Sequence, residues 1–124
     1  MDIVSHCLWG GVAFGRKRKR DFWLSFLFGV APDLLSFGLF TAGTFLGIHD
    51  SVSFKQGPPD PSLIPSYIYG LYNVTHSLIV FAIVFGAIWL IRRRVFWPMA
   101  AWGLHIIFDI PTHSSRFFPT PFLW

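Results

Sequence analysis

The chain has 124 residues, of which 53% are hydrophobic, 19% aromatic and only 13% charged, and its net charge is +4. Average soluble domains carry about a quarter charged residues, so this composition excludes intrinsic disorder and disfavours an ordinary soluble domain. The single cysteine, Cys7, excludes a disulfide scaffold within the chain. The length allows one domain, and the composition predicts a membrane protein.

The basic residues are concentrated rather than spread. Eight of the ten lie in two runs, residues 16–20 and 92–94, and each run stands between apolar stretches. The positive-inside rule predicts that both runs are cytoplasmic, with attraction to anionic membrane lipids as a secondary role. Direct nucleic-acid binding is not expected, because its basic footprint follows a groove or a helix face. Trp23, Trp89 and Trp97 each lie three residues from a basic run, as an aromatic belt at the membrane interface predicts.

Four apolar segments predict an all-α, polytopic membrane bundle of about four helices, in a single domain over residues 1–124. In chain order the segments cover residues 3–15, 22–47, 73–91 and 95–110. The first is short for a full span. A proline-rich outer loop is expected at about 48–72, and an irregular tail at 111–124. With the basic loops inside, the second segment runs outward and the third returns.

Ionisable side chains inside apolar segments are costly, and they are therefore candidates for function. Each lies about 10 to 16 residues from the nearest basic run, or about 15–24 Å along a helix. The segments therefore deliver these groups to one shared layer, in the middle to outer half of the bundle. The candidates are His6, Asp33, His76, His105 and Asp109.

His105 and Asp109 are four residues apart, so a helix places both on one face, within reach of one metal ion. The alternative is a hydrogen-bonded pair that only neutralises two buried groups. The other candidates at matching depth favour the metal. Imidazole and carboxylate ligands suit a divalent ion such as zinc.

Two of these residues have informative neighbours. Pro32 removes a backbone donor beside Asp33, so the helix kinks there, or Pro32 starts a new helix that Asp33 caps. Both interpretations can hold together. Thr75 or Ser77 orients His76, or Thr75 simply caps the third segment.

Three further residues are additional candidates. His49 begins the outer loop and either joins the site from outside or pairs with Asp50 in solvent. His113 follows the last segment and is either a ligand or a surface histidine. Arg116 is suited to a substrate phosphate and equally to a lipid headgroup.

Several short motifs together resemble a known family. The order of these motifs is similar to that of the bacterial family of LexA-binding, inner-membrane-associated metal-dependent hydrolases. That family is in turn similar to the zinc-dependent phospholipase C and P1 nuclease group. The motifs are Met1-Asp2-x-x-x-His6, Gly29-x-x-Pro32-Asp33, Thr75-His76-Ser77, and Gly103-x-His105-x-x-x-Asp109 followed by Pro111-Thr112-His113.

The resemblance implies a multi-pass protein of the bacterial inner (cytoplasmic) membrane with one or two zinc ions on the five buried candidates. Asp33 or Asp109 would bridge two ions or accept a proton, and metal-activated water would attack a phosphate or carboxylic ester. The depth of the site indicates a lipid or lipid-linked substrate. The alternative is a non-catalytic membrane protein with a structural His/Asp or metal cluster, whose basic loops recruit a cytoplasmic protein partner. A transporter is disfavoured, because no inverted repeat is evident.

Overall fold

The computed structural model describes residues 3–52, 60–112 and 118–123, and all regular secondary structure in these ranges is helical. The all-α prediction is confirmed for this part of the chain. The helices are α1 (Ile3–Phe14), α2 (Lys19–Asp33), α3 (Leu39–Phe45), α4 (Ser66–Thr75), α5 (Leu78–Arg92) and α6 (Ala100–Thr112).

Helices α1 and α2 form an antiparallel pair whose backbones nearly touch. A Cβ atom at Gly10 would lie 2.9 Å from the Ser25 carbonyl oxygen, and one at Gly29 would lie 2.7 Å from the His6 carbonyl oxygen. Only glycine permits so close an approach. Helix α6 packs against the same pair, since the Gly10 Cβ would also meet Ala101 Cβ at 2.9 Å. These three helices form the frame of the candidate site.

The longest helical run joins α2 to α3 through one π-helical turn, Leu34–Gly38. It covers Lys19–Phe45, and within the described ranges it is the one unbroken helix that is long and apolar enough to cross a membrane. Helices α4 and α5 meet the same criterion only as a pair, which is bent by 56° at their junction. With 12 and 13 residues, α1 and α6 are about 20 Å long, short of a core about 30 Å thick. Four membrane spans therefore stay a prediction.

Helix α4 occupies the end of the predicted outer loop, about 48–72, which is thus shorter than expected. Ile64, Ile68 and Tyr72 are spaced four residues apart and are all buried. They pack with Phe40 and Phe118 into a small apolar cluster. This four-residue spacing is typical of a helix, but the prolines that precede it led to the prediction of a loop. Near the C-terminus, α6 extends to Thr112 and so includes the first two residues of the irregular tail predicted at 111–124.

The distribution of polar and apolar side chains is unusual for a protein in water. Among the described residues, 28 large hydrophobic side chains are exposed, whereas nine polar or charged ones are buried. Helix α5 is almost wholly apolar and contains no buried residue. Ile83 and Ile91, for example, are 67% and 81% exposed. Single exposed apolar side chains are ordinary, but large exposed apolar surfaces mark places where a partner or lipid covers the protein.

Both basic runs lie at one end of the helical frame. Residues of the first run and Arg92 of the second line a common cavity of about 650 Å³. We call it the basic cavity, and the charged side chains that line it are Arg16, Lys17, Arg18, Arg20, Asp21 and Arg92. The fold thus places residues of the two runs together, while a cytoplasmic location for them stays a prediction.

Candidate metal centre

Five buried side chains from different parts of the chain meet between the helices. Each belongs to a residue that is at most 5% exposed to solvent. Helix α1 supplies one, the end of α2 one, the junction of α4 and α5 one, and α6 two. They are His6, Asp33, His76, His105 and Asp109, so the structure brings together all five residues that the sequence singled out.

Asp33 is positioned by a local departure from α-helical geometry. Pro32 lacks a backbone N–H, yet the helix continues past it into the π-helical turn. The Ser36 hydroxyl donates to the Pro32 carbonyl oxygen at 3.0 Å, which stabilises this turn. The Asp33 side chain makes no capping hydrogen bond, so the capping interpretation is wrong and the carboxylate faces the cluster. Isolated π-helical turns are frequent at functional sites.

His76 lies at the junction of α4 and α5, where it ends α4. Its Nδ1 donates to the Tyr72 carbonyl oxygen at 3.0 Å and lies 3.1 Å from the Thr75 hydroxyl. The imidazole also stacks on the Tyr72 ring, with centroids 3.9 Å apart. Ser77 rather than Thr75 caps α5, because its hydroxyl accepts from the Val80 N–H. Thr75 is therefore a neighbour that orients His76.

The protonation of the two central histidines follows from their hydrogen bonds. His105 Nδ1 donates to the Gly29 carbonyl oxygen at 2.7 Å, as His76 Nδ1 does to the Tyr72 carbonyl. A carbonyl only accepts, so both Nδ1 atoms carry a proton, and when a ring is neutral its lone pair is on Nε2. These two Nε2 atoms are 3.1 Å apart. Two lone pairs at that distance repel each other unless a cation or an additional proton lies between them.

Two carboxylates complete the group of converging atoms. Asp109 Oδ2 lies 3.1 Å from His105 Nε2 and 3.4 Å from His76 Nε2. Asp33 Oδ1 lies 3.8 Å and 3.6 Å from the same two nitrogens. Ligands about 2.1 Å from a tetrahedral ion are about 3.4 Å from one another. The five separations, 3.1–3.8 Å, lie around that value, and all four donor atoms, including the two carboxylate oxygens, lie within 4.8 Å of one another. We call these four residues the donor cluster.

His6 lies beside the donor cluster without belonging to it. Its Nε2 is 2.9 Å from Asp109 Oδ1, the other oxygen of that carboxylate. Its ring stacks on that of His105, with centroids 3.9 Å apart. His6 Nδ1 has no hydrogen-bond partner in the described part of the chain. Asp109 is thus shared between the donor cluster and His6.

The remaining predicted residues do not join this group. His49 Nε2 is hydrogen-bonded to the Tyr67 hydroxyl at 2.6 Å, and its ring stacks on Phe40. It is partly buried elsewhere and is not one of the converging residues. His113 and Arg116 lie outside the described residues.

Three supporting residues were not identified from the sequence. Tyr72 covers His76 and anchors the C-terminal segment, since its hydroxyl donates to the Phe118 carbonyl oxygen at 3.0 Å. Trp102 Nε1 donates to the Thr75 carbonyl oxygen at 2.7 Å and holds the helix junction. Gly29 contributes its carbonyl to His105. Tyr72 stands four residues before His76, a helical spacing that indicated contact. Gly29 belongs to one of the sequence motifs, but nothing in the sequence indicated its contact with His105 or the contact of Trp102 with Thr75.

The fold and the cluster together define an all-α protein with a buried group of two histidines and two aspartates that could hold a metal ion. No protein-family model, curated protein or solved structure significantly matches the chain. The resemblance to the LexA-binding hydrolases therefore rests on the sequence motifs alone and stays a prediction.

Proposed function

We propose that this protein is an integral membrane metalloprotein in which the donor cluster binds one divalent cation, of which zinc fits best. The observation that carries the proposal is the convergence of two Nε2 atoms and two carboxylate oxygens within 4.8 Å of one another, with five of the six separations at 3.1–3.8 Å.

The hydrogen bonds around the cluster support metal binding. Histidines that bind metal almost always donate their second ring N–H to a carbonyl or carboxylate, which fixes the ring and its tautomer. His76 and His105 both do so, through backbone carbonyls of Tyr72 and Gly29. A simple hydrogen bond between the two Nε2 atoms would instead require one ring to carry a second proton.

Charge balance supports the same assignment. Asp33 and Asp109 bring two negative charges into a site whose residues are at most 5% exposed. One divalent ion with two neutral imidazoles neutralises these charges, so the site holds no net charge in a medium of low dielectric constant. The mixture of nitrogen and oxygen donors suits zinc better than magnesium or calcium, which prefer oxygen donors.

A membrane environment is supported by the inverted distribution of side chains. Among the described residues, nine polar or charged side chains are buried, and apolar side chains cover much of the outside of the helices. The uncovered helix α5 fits this setting, since lipid would surround it. The two basic runs at one end then face the cytoplasm, and the cluster lies deeper.

The four donors indicate a structural role for the ion. Tetrahedral sites with four protein ligands are closed, whereas catalytic zinc sites keep one position for water. The cluster links α2, α6 and the junction of α4 and α5, so an ion there would hold these elements together. The first candidate function is therefore a metal-clamped membrane protein.

Hydrolysis of an ester is the second candidate, and the position of His6 favours it. His6 lies 2.9 Å from Asp109 Oδ1, so this carboxylate could turn toward His6 and leave the ion a free position. A bound divalent ion supplies Lewis-acid activation of water. Since both carboxylates are in the donor cluster, His6 is the better proton acceptor, because its Nδ1 has no hydrogen-bond partner among the described residues.

Metal content tests the proposal directly. Detergent-purified protein should hold about one zinc per chain. Replacing one ligand should weaken binding by more than the 10–100-fold typical of outer-sphere changes. The variants are His105→Gln and Asp109→Asn, with His49→Gln and Asp50→Asn as matched controls outside the cluster. Negligible metal in the wild type, with its helical circular dichroism intact, would refute the proposal. Release of the protein from membranes by alkaline carbonate would refute the membrane part.

Hydrolysis is tested on the same zinc-loaded protein with chromogenic phosphodiesters, phosphomonoesters and carboxylic esters in mixed micelles. If the second candidate is correct, His6→Gln retains zinc and loses 10²-fold or more of the rate, as removal of a proton acceptor does. Zinc binding without turnover of any of these esters would exclude the second candidate and favour the structural clamp.

A further inference from the structure

The basic cavity lies at the opposite end of the frame from the donor cluster. Along α2, Arg20 and Asp33 are 13 residues apart, or about 20 Å. The cavity therefore does not belong to the proposed metal site.

The charge in this cavity is strongly one-sided. Five cationic side chains line it, and Asp21 is the one acid among the described residues that do so. Two of the cations are held in place by neighbours. Arg16 Nε donates to the Val12 carbonyl oxygen at 2.7 Å, and the Arg92 guanidinium lies over the Phe96 ring at 4.9 Å. Arginine in such a setting binds phosphate through paired hydrogen bonds.

The other walls of the cavity are apolar and aromatic. Phe14 and Trp97 lie nearly parallel, with an angle of 11° between the rings and centroids 6.4 Å apart. Leu24, Val95 and Phe96 continue this surface. A ligand that satisfied both parts of the cavity would carry a phosphate at one end and a hydrocarbon region next to it.

We propose that the basic cavity binds the phosphate headgroup of an anionic phospholipid in the cytoplasmic leaflet. Basic pockets between membrane helices on the cytoplasmic side are suited to such headgroups. The volume of about 650 Å³ is within the usual range for a small-molecule site, about 300–1,000 Å³. The interfacial tryptophans agree with this depth, since Trp23, Trp89 and Trp97 are all at least half exposed. The inference rests on the membrane part of the proposed function and is independent of the metal.

The test compares two double variants that remove the same charge. Arg20→Gln with Arg92→Gln takes one cation from each basic run, and both line the cavity. Lys19→Gln with Arg94→Gln also takes one from each run, but neither residue lines it. Native mass spectrometry of micelle-solubilised protein, in a volatile salt of high ionic strength, gives the affinity for dioleoylphosphatidylglycerol. Dioleoylphosphatidylcholine and glycerol 3-phosphate serve as the neutral-lipid and soluble-phosphate probes.

We expect one anionic lipid to bind saturably, with the neutral lipid at least tenfold weaker. Each cavity cation should contribute about fivefold, so the first double variant should bind the anionic lipid about 30-fold more weakly. The control pair should change the affinity less than threefold, because high salt screens charges outside the cavity.

Three results would overturn the proposal. Equal losses in the two double variants would show that only total charge matters. Equal binding of the neutral lipid, whose headgroup also carries a phosphate, would show that the net negative charge of the headgroup does not contribute to binding. Glycerol 3-phosphate binding as tightly as the lipid would assign the cavity to soluble phosphate. Carbonate extraction and zinc content of the same preparations separate these outcomes from a failure of the proposed function.

Discussion

Replacing Gly29 with alanine tests whether the close contact of α1 and α2 positions the donor cluster. The added Cβ would lie 2.7 Å from the His6 carbonyl oxygen, a backbone atom that cannot rotate away. Ordinary contact between these atoms begins at 3.4 Å, so the two helices must separate by about 0.7 Å. Overpacking of this kind costs about 1–3 kcal/mol.

The matched control is Gly86→Ala in α5, where nothing lies within 4 Å of the added Cβ. Both substitutions gain about 1 kcal/mol of helix propensity, so this contribution cancels in the difference between the variants. The difference in unfolding free energy is then the packing cost alone. At about 4 °C per kcal/mol for a chain of this size, Gly29→Ala should melt about 4–12 °C below Gly86→Ala.

Thermal unfolding in detergent, followed by circular dichroism at 222 nm, measures this difference. Gly29→Ala should also weaken zinc binding, because the Gly29 carbonyl accepts the hydrogen bond from His105 Nδ1 and moves with the helix. Equal melting temperatures and equal zinc content in the two variants would refute the reasoning that this contact fixes the site.

Two further predictions concern the metal. Removing zinc with a strong chelator should lower the melting temperature of the wild type by about 10 °C, since a ligand at about 100 times its Kd stabilises by about 2.7 kcal/mol. The same treatment should leave Asp109→Asn unchanged, and an equal shift in that variant would mean that the chelator acts elsewhere. Thr75→Val keeps the side-chain volume but removes the hydroxyl 3.1 Å from His76 Nδ1. It should weaken zinc binding about tenfold in a competition titration with a fluorescent chelator, whereas unaltered affinity would show that the Tyr72 carbonyl alone orients His76.

The residues of the site could be predicted from the sequence because apolar segments make their exceptions conspicuous. Polar residues such as Asp33, His76 and Asp109 are conspicuous within stretches of leucine, isoleucine and phenylalanine. Counting residues from the nearest basic run gives the depth of each one along its helix. That count uses only the rise of a helix, so it requires no knowledge of packing. The all-α class follows from the same segments.

The sequence by itself thus determined which buried side chains come together and at what depth along the helices. The tertiary structure decided which atoms of these side chains face one another and which of them carry protons. Only the contacts of His105 with Gly29 and of His76 with Tyr72 place the protons on Nδ1 and direct both lone pairs inward. Only the packing separates His6 from the four donors, and only the fold joins two distant basic runs around one cavity. The reason is that helical periodicity specifies which way each side chain points from a single helix. The distances between helices depend instead on contacts between side chains that are far apart in the sequence.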